Sequence, residues 1–189
     1  MCSRLSATPS SSASPEAALT IVSGGQTGVD RGALDGARDA GLPQGGWCPR
    51  GRRAEDGVIP CCYPLRETDL VDYAERTGRN VRDSEGTVLL TFGPLAGGSA
   101  LTQTLAEEAG RPLLLLDARA LSVSVAQRRL LRFVTEHGIH RLNVAGPRES
   151  EAPGAQAWAR RLILGLGRDL DATDDPRKKS PGDNGKEQR

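Results

Sequence analysis

Short apolar runs alternate along the chain with stretches whose apolar residues recur every three to four positions. The runs Leu19–Ser23, Gly86–Phe92, Pro112–Asp117 and Leu142–Ala145 are each followed by such a stretch, at Arg31–Ala40, Ser99–Gly110, Leu121–His137 and Gly154–Leu170. The first pattern predicts strands and the second amphipathic helices, so the chain reads as successive βαβ units. The segments VLLTF and LLLLD are almost purely apolar, as strands covered by helices on both faces are. The expected fold is therefore α/β, an open parallel sheet. A fifth short strand is expected around Gly46–Cys48, then a long Arg- and Pro-containing stretch, Pro49–Thr68, and a helix near Asp69–Asp83. Ligands of such sheets sit outside the carboxyl ends of the strands, which directs attention to the turns.

Composition sets the limits of the domain. Residues 1–18 are mostly Ser, Ala and Pro, and residues 171–189 carry five acidic and five basic side chains with no hydrophobe except Ala172. Both segments are expected to be disordered, leaving one domain over residues 19–170. The net charge of the 189 residues is +1 and only six are aromatic, which argues against a nucleic-acid binder because stacking platforms need aromatic rings. No apolar run approaches the roughly 20 residues that span a bilayer, so no membrane association is expected. Cys2, Cys48, Cys61 and Cys62 have neither disulfide-framework nor zinc-site spacing. No metal site is expected, and a cytoplasmic location fits these thiols.

Residues 19–170 contain 19 arginines and no lysine. Codon usage accounts for the totals but not for the clustering near the strand-to-helix turns. The first turn, Ser23-Gly24-Gly25-Gln26-Thr27-Gly28-Val29-Asp30-Arg31, leaves a strand and opens a helix, an arrangement that presents backbone N–H groups to an anion. It is neither GxGxxG nor a Walker A loop. A second glycine-rich turn, Gly97-Gly98-Ser99-Ala100-Leu101-Thr102, enters another helix, where Ser99 is also a candidate cap. Two such turns at one crevice predict a ligand with more than one anionic group. Arg52 and Arg53, in the run Arg50–Gly57, could grip phosphate bidentately. Arg76–Asn80 closes a helix, and Arg148 and Ser150 follow the last strand as candidate rim ligands.

No catalytic residue is assigned. His137 and His140 flank a glycine at a helix end without a nucleophile-elbow serine. Asp30, Glu55 and Asp56 are the acids available should the protein be an enzyme acting on a nucleotide or phosphoribosyl compound. Val125, Leu130, Leu131, Phe133 and Val134 fit either a core face or an interface.

The runs Ser23–Asp35, Gly46–Pro60, Arg76–Ser84, Gly97–Thr102 and Leu142–Ser150 resemble the molybdenum carrier family. That family includes the molybdenum cofactor carrier proteins and belongs to a Rossmann-like superfamily shared with DNA-processing protein A and the lysine-decarboxylase-like phosphoribohydrolases. The resemblance covers about residues 19–150. It implies a Rossmann-like fold, self-association as a dimer or tetramer, and a cleft for a small phosphorylated or oxyanionic ligand, with molybdenum cofactor (molybdopterin) the named candidate. Carried over by position, it implies ligand contacts from Gly24, Gly25, Thr27 and Gly28 in the first turn and Gly97, Gly98 and Ser99 in the second, with Arg31, Arg52, Arg53 and Arg148 supplying charge; Gln26, Asp30 and Thr102 of the same turns and Ser150 at the rim complete the candidate ligand-binding set. The phosphoribohydrolase motif PGGxGTxxE falls on Ala96–Thr104, with Thr104 in place of the catalytic glutamate.

Overall fold

The computed structural model describes residues 18–174; the expectations for residues 1–17 and 175–189 lie outside them. In chain order the elements are β1 (Thr20–Val22), α1 (Val29–Asp39), β2 (Gln44–Gly45), β3 (Trp47–Cys48), β4 (Arg53–Ala54), β5 (Gly57–Val58), β6 (Arg66–Glu67), α2 (Tyr73–Arg82), β7 (Gly86–Thr91), α3 (Gly97–Glu108), β8 (Leu113–Asp117), α4 (Val123–Glu136), β9 (Arg141–Ala145) and α5 (Ala155–Asp174). Five strands form one parallel sheet in the order β2-β1-β9-β7-β8. The architecture is the Rossmann-like α/β fold expected from the alternating pattern.

Two boundaries differ from the sequence reading. The fifth strand is Gln44–Gly45, which pairs with β1, whereas Trp47–Cys48 leaves the sheet and pairs with Arg66–Glu67. Helix α5 also continues to Asp174, so the compositional boundary after residue 170 falls inside its last turn.

Right-handed crossovers place α1, α4 and α5 on one face of the sheet and α2 and α3 on the other. The main core lies under the first face. Ile21, Val88, Leu90, Leu116, Leu142 and Val144 from the strands meet Val29, Ala33, Leu130, Phe133, Leu162, Ile163 and Leu166 from the helices. Ala126, Leu130, Phe133 and Val134 of α4 are thus core residues, with Val125 and Leu131 half-buried beside them. A second, smaller cluster of Leu34, Cys48, Ile59, Tyr63 and Leu65 packs the 48–65 segment onto α1, so α1 is buried from Val29 to Ala37. Among the described residues, no helix is long and apolar enough to cross a membrane.

Strand β9 is last in the chain but central in the sheet, between β1 and β7. The helix after β1 lies on one face and the helix after β7 on the other, so their turns diverge over the end of β9. That divergence opens a crevice at the carboxyl edge of the sheet.

Candidate functional site

The crevice is lined by Gly24, Gln26 and Asp30 from the first turn, Gly98, Ser99 and Thr102 from the start of α3, and Asn143–Gly146 with Arg148 and Glu151 from the end of β9. Helix α2 closes it with Tyr73, Arg76, Thr77 and Asn80. These four stand at i, i+3, i+4 and i+7, one face of a helix. The residues named from sequence that meet here are Gly24, Gln26, Asp30, Gly98, Ser99, Thr102 and Arg148.

Asp30 and Arg76 form the floor. Arg76 Nη1 donates to Asp30 Oδ2 at 2.9 Å, with the two side chains only 14% and 5% exposed. The same carboxylate accepts the Gln26 amide at 3.3 Å. A side chain at Gly24 would occupy the space of the Arg76 guanidinium, so this glycine is what lets the ion pair form. Among the described residues, two donors of crevice-lining side chains have no acceptor: Gln26 Nε2 and Arg76 Nε, both buried. Leaving a buried donor unmade costs about 1–3 kcal/mol, more when charged.

The walls add further donors. Helix α3 begins at Gly97 after Ala96, which offers no side-chain cap, although its carbonyl accepts the Ser99 amide at 3.1 Å; the Gly97 and Gly98 amides of this first turn have no side-chain cap from Ala96. Ser99 lies inside the helix rather than at its cap, and Thr102 Oγ1 donates back to Gly98 O at 2.8 Å. Arg148 stacks on Tyr73, its guanidinium carbon 5.3 Å from the ring centre, and it forms no ion pair among the described residues. Glu151 carries negative charge into the same space and accepts the Arg148 amide. The charges lining the crevice are thus mixed.

The remaining sequence-named residues hold the structure around the crevice. In the first turn the Thr27 amide donates to Gln26 Oε1 and the Val29 amide to Pro147 O, so these N–H groups already have partners. Gly28 adopts φ 76°, and a Cβ there would stand 2.6 Å from the Arg148 and Glu149 backbone; the turn needs glycine for this close approach. Arg31 donates to Gly25 O and bidentately to Asp56, at 2.5 and 2.8 Å. Arg52 adopts φ 52° and its guanidinium donates to four carbonyls, those of Ile59, Pro60, Tyr63 and Leu65. It organises the 59–65 segment instead of facing the crevice. Arg53 is exposed on the β4–β5 hairpin, and Gly97 lines an adjoining cleft with Phe92, Leu95 and Pro147.

That hairpin is fastened by its two acids. Glu55 accepts from the Thr27 hydroxyl and the Ser150 hydroxyl, and Asp56 accepts from Arg31. The hydroxyl of Ser150, then that of Thr27, holds the Glu55 carboxyl below its ordinary range, and the Arg31 guanidinium does the same for Asp56. A depressed carboxyl stabilises the fold above its unfolded value, about 4.3 for Glu, and this contribution is lost as pH falls through the folded value. Glu55→Gln is therefore expected to lower the melting temperature at pH 7, with the gap to the parent protein closing in acid. A gap that is the same at pH 7 and pH 3 would contradict the clamp.

Behind the hairpin, Tyr63 donates to Asp35 at 3.0 Å. Burial and that carboxylate push its phenol up to about 12, so it stays a donor well into the alkaline range. The Cys48 thiol beside it is pushed up by burial, while Cys61 and Cys62 are exposed.

The residues missed from sequence are Tyr73, Arg76, Thr77, Asn80 and Asn143. For the four on α2 the signal was a helix whose inward spacing carries polar residues, the opposite of a core-facing stripe; Asn143 lies on β9 and had no such signal.

Comparison with known proteins places this architecture in a family. The family described as circularly permutated YpsA SLOG matches residues 21–166, which take in every element that forms the crevice. A crystal structure of a protein named putative molybdenum carrier protein, from Syntrophus aciditrophicus SB, is 42% identical with a TM-score of 0.77, covering 80% of this chain and 96% of that one. No curated protein matches. This chain belongs to the circularly permutated YpsA SLOG family.

Proposed function

We propose that the protein is a binding and carrier protein whose crevice holds a small phosphorylated or oxyanionic ligand, with molybdenum cofactor as the leading candidate. The observation that carries this reading is that Gln26, Arg76 and Arg148 line one crevice, and that two donors of the first two, Gln26 Nε2 and Arg76 Nε, lie buried without an acceptor among the described residues. An acceptor-rich ligand reaches both once these side chains turn toward it, and the Arg148 guanidinium with the Gly98 amide at the start of α3 supplies further donors to the same group. Molybdenum cofactor offers a phosphate and oxo groups of that kind, and the solved relative is named for carrying molybdenum. The reading is one of binding without turnover. Of the acids that could act as a base, Glu55 and Asp56 are occupied by the hairpin clamp, which lowers their affinity for a proton and makes them weaker bases, and Asp30 is engaged by Arg76.

Titration of inorganic phosphate and of molybdate against the purified protein tests the site. Arg148→Gln leaves the fold intact and is expected to weaken anion binding about 10- to 100-fold, the value of one charge-assisted hydrogen bond. Arg53→Gln, on the exposed hairpin, is expected to leave affinity unchanged. Equal affinity in the parent and Arg148→Gln proteins would remove the crevice as the anion site.

A further inference from the structure

Among the described residues, strand β8 is an outer strand of the sheet and pairs only with β7. The bonds from Thr87 N to Pro112 O and from Ala118 N to Thr91 O turn the even-numbered positions of this segment toward β7. With a period of two, the N–H and C=O groups of Leu113, Leu115 and the Asp117 N–H point outward. Among the described residues, no backbone or side-chain group pairs with these outward groups; only Asp117 O is engaged, by the turn amides of Ala120 and Leu121. The side chains follow the same alternation. Leu114 and Leu116 enter the main core, whereas Leu115, on the α3 face, is 44% exposed. Leu113 is half-buried beside it, as are Leu101 and Leu105 of α3. A five-residue edge of four leucines, with no proline, lysine or bulge inside it, is the kind of edge that monomeric proteins guard against.

We infer that this edge is an interface between two copies of the chain, β8 pairing antiparallel with β8 about a twofold axis at Leu114. Hydrogen-bonded pairing must set outward residues against outward residues, which leaves three central registers: Leu113 against itself, Leu115 against itself, or Leu113 against Leu115. The third alone sets Arg111 of each copy, which precedes the strand and whose exposed guanidinium reaches only Arg82 O among the described residues, at 3.4 Å, nearest Asp117 of the other. It places an opposite-charge pair at both ends of the ladder, where the other registers set Arg111 or Asp117 against leucine. The contact is isologous and closed: it joins two five-stranded sheets into one of ten strands and brings the half-exposed Leu101 and Leu105 faces of the two α3 helices together. It does not depend on what the crevice binds.

Sedimentation velocity and native mass spectrometry of the full chain test this. The expected species has twice the 20.0 kDa chain mass. Leu115→Lys, at an exposed position, is expected to give a folded monomer whose melting temperature no longer depends on protein concentration, as the parent's does. Arg111→Asp is expected to weaken the dimer about tenfold, and Arg111→Asp with Asp117→Arg to restore it. Hydrogen exchange adds a readout at the edge itself: the Leu113 and Leu115 amides are protected in the dimer and exchange when it is diluted. A monomer at the highest soluble concentration overturns the inference, and so does a dimer indifferent to both single substitutions. Protection of those amides in a monomer would mean that a segment of the same chain covers the edge, which overturns the inference equally. A dimer lost in Leu115→Lys but not recovered by the charge exchange overturns the register.

Discussion

Asp30→Ala is expected to destabilise the protein by about 3–5 kcal/mol, the cost of leaving one partner of a buried ion pair without its counterion. The Arg76 guanidinium would lose the carboxylate it donates to at 2.9 Å, and the Gln26 amide would lose its acceptor in the same stroke. Chemical denaturation of the single variant against Asp30→Ala with Arg76→Leu separates the two contributions. The double variant should recover much of the lost stability, because a buried pair replaced by apolar groups is often neutral. It should not recover anion binding, because the Arg76 donors are gone. A double variant no more stable than Asp30→Ala would show that the carboxylate matters through the turn rather than through Arg76.

Arg52→Ala is expected to cost about 3 kcal/mol, since four carbonyls between Ile59 and Leu65 lose a charged donor. For a chain of this size that lowers the melting temperature by about 6–12 °C. Arg52 also sits at φ 52°, a conformation that costs a side-chain-bearing residue about 1 kcal/mol and glycine nothing. Arg52→Gly should therefore be more stable than Arg52→Ala by about that amount. Anion affinity of the folded variants should match the parent, because the guanidinium faces the 59–65 segment. Loss of affinity without loss of stability would return Arg52 to the ligand role that its sequence neighbourhood suggested.

The strands and helices that carry the core were legible because their patterns are strong. VLLTF and LLLLD admit no other reading, and each is followed by a helix long enough to cross back over the sheet. The fifth strand was displaced by two residues because Gln44 and Gly45 have no strand character of their own; pairing with β1 makes them a strand. The two-residue pairs β3–β6 and β4–β5 are likewise set by tertiary contacts. At the site, glycine-rich turns announced the crevice, but side-chain destinations are not written in the turns. Arg31 and Arg52 lie next to the crevice in sequence yet are directed into the protein by Asp56 and by backbone carbonyls. Arg76, remote in sequence, reaches the first turn because α2 crosses the sheet on the face opposite α1 and Gly24 leaves room for it.

The measurement that bears most directly on the carrier reading is the pterin content of the protein purified from a host that makes molybdenum cofactor. The sample is oxidised and the released pterin fluorescence is counted per chain, for the parent and for Arg148→Gln. The account predicts pterin approaching one per chain in the parent and a marked fall in the variant. Absence of pterin from both, in protein that is folded, would contradict molybdenum cofactor as the cargo of this crevice.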